Sequence, residues 1–135
     1  MRCLIVDDDP VCRKVLRAAL SPYAMVDEAS TGRDAVEAVR RALMDDQPYR
    51  LVTLDIMMPD MDGQSALVAI RALEGVKGLP SASAAKIFMT TALGDGRNVL
   101  AAFREQCTGY LTKPIDLEKM FGQLTEHGLL SGGLR

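Results

Sequence analysis

The stretch "LVTLDIMMPDMDG" at residues 51–63 decides the fold class, because a strand pattern runs in it directly into a turn. Its apolar run ends in a single aspartate, Asp55, and an Asp-Gly pair at 62–63 leads into a segment with helical periodicity. A continuous apolar strand is typical of a parallel sheet that helices cover on both faces. This pattern raises the question of why such an apolar strand ends in a carboxylate.

Short apolar runs and helical stretches alternate along the rest of the chain. Strands are predicted at 3–7, 24–30, 50–55, 86–91 and 109–113. Helices are predicted at 9–20, 31–46, 63–74, 95–107 and 114–128. Asp9 is the expected N-cap of the first helix, followed by Pro10 at its first position, and Pro114 is expected to start the last helix. Five strand–helix units predict an α/β fold, a (βα)5 doubly wound parallel sheet between two helical layers.

The chain length fits one domain. The 135 residues are predicted to form a domain over 1–128, with 129–135 as a loose C-terminal tail. The stretch 75–85 is rich in Gly, Pro, Ser and Ala and is predicted as a surface loop. Because 48% of the residues are hydrophobic and only 4% are aromatic, the core must consist mainly of aliphatic and methionine side chains.

Composition and charge exclude several classes of function. The net charge of −2 comes from mixed charges without a basic block, so nucleic-acid binding is not expected. No apolar run reaches the ~18 residues of a membrane span, and the N-terminus lacks a signal-peptide cleavage site. The cysteines are odd in number and form no CxxC pair: Cys3, Cys12 and Cys107. We therefore expect reduced thiols and a cytoplasmic location.

Polar residues follow the predicted strands at their carboxyl ends, where doubly wound sheets bind ligands. They are Asp7, Asp8, Asp55, Thr91 and Lys113. Taken singly, such an aspartate more often caps a helix or a turn, and the lysine or threonine is ordinary surface or strand. Together, however, three carboxylates require a cation, for which Mg²⁺ is suited, and a lysine suits a phosphate group. The set therefore favours transfer of a phosphoryl group to a carboxylate.

Four segments in this order resemble the response-regulator receiver domains of two-component signalling. They are "LIVDDDP" (4–10), "LVTLDIMMPDMDG" (51–63), "FMTTA" (88–92) and "GYLTKPI" (109–115). The resemblance extends from the first strand to the fifth helix. It implies a flavodoxin/CheY-like three-layer sandwich with strand order 2-1-3-4-5, in the stand-alone form of the domain.

The resemblance also implies roles for the site residues. Asp55 matches the phosphoacceptor, and Lys113 matches the lysine that pairs with the phosphoryl group. Asp7 and Asp8, with the backbone carbonyl of Met57, match the ligands that join Asp55 in binding magnesium. The Lys113–Pro114 bond matches a Lys-Pro that is usually cis. The cofactor implied is therefore Mg²⁺.

A second group of residues matches the family's switch. Thr91 matches the hydroxyl residue that moves onto the phosphoryl group, with Thr90 as a rival, and Tyr110 matches the aromatic residue that turns inward. The face formed by the fourth helix, fifth strand and fifth helix is expected to change as a result. Its expected partner-facing residues are Arg97, Leu100, Tyr110 and Lys119.

The function implied is that of a single-domain response regulator, which is a signalling protein rather than an enzyme. It would accept a phosphoryl group from a histidine kinase or a phosphotransfer protein and then control a downstream protein, as a monomer or a weak phosphorylation-dependent dimer. The apolar Met57 and Leu93 suggest slow dephosphorylation. Alternative functions are a phosphate sink, a phosphorelay intermediate and a scaffold without phosphorylation. An FMN binder is a further alternative, which the acidic "DDDP" after the first strand disfavours. The last alternative is a Mg²⁺-dependent phosphohydrolase, whose usual second aspartate is replaced here by Met57.

Overall fold

The computed structural model describes residues 1–92 and 106–130. Five parallel strands form one sheet in the order β2-β1-β3-β4-β5, which confirms the predicted topology. The strands are β1 (Arg2–Val6), β2 (Met25–Ala29), β3 (Leu51–Asp55), β4 (Lys86–Ala92) and β5 (Gly109–Lys113). All five residues of β3 are buried, as its continuous apolar run predicts for the central strand.

Helices flank the sheet on both sides. They are α1 (Pro10–Leu20), α2 (Gly32–Met44), α3 (Gly63–Lys77) and a C-terminal helix (Leu117–Glu126). The carboxylate of Asp9 accepts a hydrogen bond from the Val11 backbone N–H, so the predicted cap of α1 is confirmed. The helix predicted at 95–107 falls almost wholly outside the described residues.

Side chains alternate between the two faces of the sheet and form two separate cores. Leu4, Leu54 and Met89 lie in the core that α2 and α3 cover. Ile5, Phe88 and their neighbours lie in the core that α1 and the C-terminal helix cover. Successive side chains of a strand point to opposite faces of the sheet. The face on which each residue at the end of a strand lies therefore follows from the core that the residue two positions before it belongs to.

The predicted loop at 75–85 is wrong over its first residues, because α3 continues to Lys77. The helix ends at Gly78, which adopts a left-handed φ of 77° that suits glycine as a C-cap. A short 3-10 turn, Ser81–Ser83, then leads toward β4. Residues 75–77 therefore belong to the helix, and the connection between α3 and β4 is shorter than predicted.

The C-terminal region departs from the prediction at both ends. Pro114 does not start the last helix: the Lys113–Pro114 peptide is cis, as the resemblance implied, and Asp116 caps the helix by accepting from the Lys119 N–H. Leu129 and Leu130, assigned to a loose tail, are instead buried in the core beneath α1 and the C-terminal helix. The packed domain thus extends at least to residue 130.

Candidate functional site

The carboxyl ends of β1 and β3 bring two buried carboxylates side by side. The register pairs Ile5 with Thr53 and Val6 with Leu54, so the next pair along the two strands is Asp7 and Asp55. These two side chains are only 1% and 4% exposed, respectively. Burial of two adjacent carboxylates is unfavourable unless a positive charge compensates them.

Lys113, at the end of β5, supplies that positive charge. Its Nζ lies 3.0 Å from Asp7 Oδ2 and 3.2 Å from Asp55 Oδ2, so a single ammonium group bridges both acids. Although burial lowers the pKa of Lys113, the hydrogen bonds and charges of Asp7 and Asp55 raise it above its ordinary value. The lysine is therefore held in its charged form at the centre of the site.

The ionisation of Asp55 is strongly perturbed by its surroundings. Burial and the neighbouring charge of Asp7 raise the pKa of Asp55 to about 6, against the opposing effect of Lys113. One positive charge faces two buried negative charges, so part of the electrostatic penalty remains. Such a perturbed group at the ligand-binding edge of a doubly wound sheet is typical of a functional site.

Backbone groups orient both carboxylates. The Asp9 N–H donates to Asp7 Oδ1 at 2.8 Å, and the Met57 N–H donates to Asp55 Oδ1 at 3.2 Å. The Arg13 guanidinium donates to the Asp7 backbone carbonyl at 2.7 Å and thereby ties α1 to the end of β1. Sequence reasoning missed Arg13, whose position one turn inside α1 was the available signal.

The three acids fit a divalent cation. Asp7, Asp8 and Asp55 each offer a carboxylate oxygen, and these three atoms all lie within 4.8 Å of one another. Asp8 is exposed while Asp7 and Asp55 are buried, so the cluster is open on one side. Hard oxygen donors with an open side suit Mg²⁺, which keeps several of its waters.

The predicted switch residues occupy less central positions. Thr91 is buried, and its hydroxyl donates to the Ala92 carbonyl at 3.2 Å. Thr91 is two residues after Met89 in β4, so its side chain lies on the sheet face that α2 and α3 cover. Thr90 lies on the opposite face and is the direct partner of Asp55 across the β3–β4 ladder. Tyr110 is half-buried and packs against the same core as Met89. The structure thus brings Thr91 to the edge of the site without showing its predicted movement.

The remaining predicted residues lie at the rim or beyond it. The side chain of Met57 is 65% exposed, in the loop after β3. Lys119 is exposed on the C-terminal helix. Arg97, Leu100 and Leu93 lie outside the described residues, so the structure does not address them.

Gly63 is a site residue that sequence reasoning missed. A Cβ at this position would lie 2.3 Å from the Asp55 backbone oxygen and 2.8 Å from the Ile56 Cα, and both atoms belong to backbone. The Gly63 N–H donates to the Ile56 carbonyl at 2.9 Å. Glycine therefore lets the first turn of α3 close onto the end of β3, and the Asp-Gly pair at 62–63 was its signal in the sequence.

Comparison with known proteins identifies the family. The sequence matches the response regulator receiver domain over residues 3–125. The chain belongs to this family. Receiver domains are the signalling modules of two-component systems that receive phosphoryl groups from histidine kinases.

Relatives of the receiver domain occur both as short chains and as parts of long ones. Chemotaxis protein CheY of Bacillus subtilis is 31% identical over 121 residues, which cover 88% of this chain and 90% of CheY. The regulatory protein VanRB of Enterococcus faecalis is 32% identical, with 84% of this chain and 46% of VanRB covered. The histidine-protein kinase BarA of Escherichia coli is 31% identical over 98% of this chain but only 13% of BarA.

Solved receiver domains have the same fold. The CheY-like receiver domain protein from Methanospirillum hungatei superposes with a TM-score of 0.72 at 28% identity, covering 93% of this chain and 91% of that one. The receiver domain of the histidine kinase CKI1 from Arabidopsis thaliana, complexed with Mg²⁺, gives a TM-score of 0.79 at 24% identity over 93% of this chain and 90% of that one. None of the helices within residues 1–92 and 106–130 is long and apolar enough to cross a membrane.

Proposed function

We propose that this receiver domain accepts a phosphoryl group on Asp55. The observation that carries the proposal is the position of Lys113, whose Nζ contacts Asp7 and Asp55 at 3.0 and 3.2 Å in a buried acidic cluster. Asp55 is the carboxylate of this cluster that stands at the end of the central strand, with Met57 N–H fixing one of its oxygens. Its other oxygen faces Lys113, where an entering phosphoryl group would find a positive charge.

Mg²⁺ is the cofactor that the cluster would hold. Asp7, Asp8 and Asp55 would supply carboxylate oxygens, and the Met57 backbone carbonyl would supply a further one. When bound, the ion would neutralise charge on the phosphoryl oxygens. The protein's own residues do the rest: Lys113 and the Met57 N–H hold the acceptor carboxylate in place, and burial excludes water from its inner side.

The downstream effect is proposed to pass through Thr91 and Tyr110. A phosphoryl group adds charge and acceptor oxygens, toward which the Thr91 hydroxyl would turn. Tyr110 already packs partly against the core and would turn further inward, which would alter the surface around β5 and the C-terminal helix. That surface would bind a downstream protein in the cytoplasm, or a second copy of the domain weakly, after a histidine kinase or phosphotransfer protein has donated the phosphoryl group.

Phosphorylation by a small donor tests the proposal. Purified protein is incubated with Mg²⁺ and acetyl phosphate, and its intact mass is measured. We expect one phosphoryl group per chain, and none in Asp55→Asn. Asp60→Asn is the matched control, because Asp60 is an exposed acid of the same loop with a positive φ that asparagine also tolerates.

Other outcomes separate the alternatives. Sustained release of phosphate from varied phosphoesters would indicate a phosphohydrolase instead. Transfer of the phosphoryl group from Asp55 to a histidine phosphotransfer protein would indicate a relay intermediate, and uptake with neither transfer nor partner binding would indicate a phosphate sink. Absence of any adduct in the presence of Mg²⁺ would contradict the proposal.

A further inference from the structure

Two buried threonines, one on β3 and one on β4, share the face of the sheet on which Asp55 lies. Thr53 and Thr90 are 2% and 1% exposed. Neither hydroxyl has a hydrogen-bond partner within residues 1–92 and 106–130. Buried hydroxyl groups are paired in most proteins, and valine has the same shape without the polar atom. An unpaired buried threonine therefore calls for a physical reason.

The sheet register places Thr90 next to Asp55. The two residues are direct partners across the β3–β4 ladder, and strands in a sheet lie about 4.8 Å apart. Thr90 shares the sheet face of Phe88, on which α1 and the C-terminal helix pack, and Asp55 follows Thr53 and Leu51 onto the same face. A rotation about χ1 of Thr90 would therefore turn its hydroxyl within the space next to the Asp55 carboxyl group.

Thr53 lies deeper on the same face and has no such neighbour. It precedes Asp55 by two residues, which is about 6.6 Å along the strand. Its direct partners across the sheet are the apolar side chains of Ile5 and Phe88. Thr53 and Thr90 thus match in residue type, burial and lack of a partner, and they differ in their distance from the carboxylate.

We propose that the Thr90 hydroxyl donates a hydrogen bond to the Asp55 carboxyl group when the phosphoryl group leaves, and so speeds dephosphorylation. The inference rests on the proposed phosphorylation of Asp55. In this step a water oxygen bonds to phosphorus while the bond from phosphorus to the Asp55 oxygen breaks. The electron pair of that bond stays on the carboxylate, inorganic phosphate departs, and the surplus proton of the water passes to phosphate or solvent.

The direction of the effect follows from where the charge develops. Negative charge returns to the Asp55 oxygens as the bond breaks, and a donor at that point stabilises the transition state more than the acyl phosphate, in which these oxygens carry less charge. Lys113 and the Met57 N–H already contact this carboxylate, so Thr90 adds to them and does not replace them. Loss of one such hydrogen bond corresponds to a roughly fivefold slower step.

The test compares Thr90→Val, Thr90→Ser and Thr53→Val with the wild type. Each protein is phosphorylated with acetyl phosphate and Mg²⁺, freed of the donor, and followed by intact mass as the adduct decays. We expect decay about fivefold slower in Thr90→Val, near-wild-type decay in Thr90→Ser, which keeps the hydroxyl, and unchanged decay in Thr53→Val. Both valine variants should show a similar rise in Tm, because both remove an unpaired buried hydroxyl.

Three results would overturn the inference alone: wild-type decay in Thr90→Val, equal slowing in Thr53→Val, or slowing in Thr90→Ser as large as in Thr90→Val. If Thr90→Val does not fold, Thr90→Ala removes the same hydroxyl and takes its place. Failure of the wild type to gain a phosphoryl group would instead overturn the proposed function, and this inference with it.

Discussion

Replacing Asp55 with asparagine should stabilise the protein in the absence of divalent metal. Burial and the charge of Asp7 raise the pKa of Asp55 from 3.8 to about 6, which means that the folded state disfavours its ionised form. At about 1.36 kcal/mol per pKa unit, the penalty has a ceiling of about 3 kcal/mol. This ceiling already includes the attraction to Lys113. The buried asparagine amide needs hydrogen-bond partners of its own, so we expect a net gain of about 1–2 kcal/mol, or a Tm higher by about 3–7 °C.

The difference in stability between wild type and Asp55→Asn should depend on pH. Because the folded-state pKa of Asp55 lies above the unfolded value, the folded protein binds more protons between pH 3.8 and about 6, and wild-type stability falls as the pH rises through that window. Thermal unfolding in a metal chelator should therefore show a large gap between wild type and Asp55→Asn at pH 8 and a small gap near pH 4. Added Mg²⁺ should narrow the gap at pH 8. Glu126→Gln, which changes an exposed carboxylate, is the control and should shift Tm little. Equal or lower stability of Asp55→Asn at pH 8 would refute the account of the buried charges.

Three further substitutions test the packing around the site by urea unfolding. Gly63→Ala should destabilise the protein by about 3 kcal/mol or more, because its Cβ would lie 2.3 Å from the Asp55 backbone oxygen. The control Gly122→Ala adds a Cβ with no atom within 4 Å and should stabilise the protein by about 0.5–1 kcal/mol. Equal effects of the two substitutions would contradict the close approach of α3 to β3. Lys113→Gln should cost about 2–4 kcal/mol at pH 8 and less at pH 5, because it leaves two buried carboxylates without their ammonium group; a loss independent of pH would count against the bridge. Leu129→Ala should lower the free energy of unfolding by about 2–4 kcal/mol, because this side chain belongs to the core. An unchanged free energy of unfolding would show that Leu129 belongs to a loose tail instead.

The order of strands and the acidic edge of the sheet were predictable because they depend on local patterns. The apolar run before Asp55 predicts a central strand, and the observed β3 begins and ends within one residue of the prediction. Asp7 and Lys113 were predicted to converge on Asp55 because parallel strands place their carboxyl ends at one edge. The resemblance to receiver domains, rather than the pattern alone, supplied the strand order.

The features that sequence reasoning missed depend on tertiary contacts. The composition around Gly75 suggests a loop, yet α3 continues because the buried Glu74 pairs with Arg71 and accepts from the Ala85 N–H, which anchors this turn of the helix. The end of the periodic pattern near Gly128 suggests that the domain stops there. Leu129 is nevertheless buried, because the chain turns at Gly128, where φ is 74°, and the Leu129 N–H bonds back to the Leu124 carbonyl at 2.9 Å, which packs its side chain into the core.

The position of Thr90 in the site also could not be predicted from the sequence, because it depends on how the strands pair. In the sequence it competes with Thr91 for one role, since both are hydroxyl residues at the end of the same strand. The register separates them: Thr90 is opposite Asp55, and Thr91 lies one residue further on, facing the other side of the sheet. Only the pairing of β3 with β4 carries this information.

The central claim, that Asp55 accepts the phosphoryl group, is tested most directly by locating the modification. Protein treated with acetyl phosphate and Mg²⁺ is reduced with borohydride, which converts an aspartyl-phosphate to homoserine, and is then digested and sequenced by mass spectrometry. We predict homoserine at position 55 and unmodified Asp7 and Asp8. Homoserine at another aspartate, or none in protein that had gained a phosphoryl group, would contradict the claim.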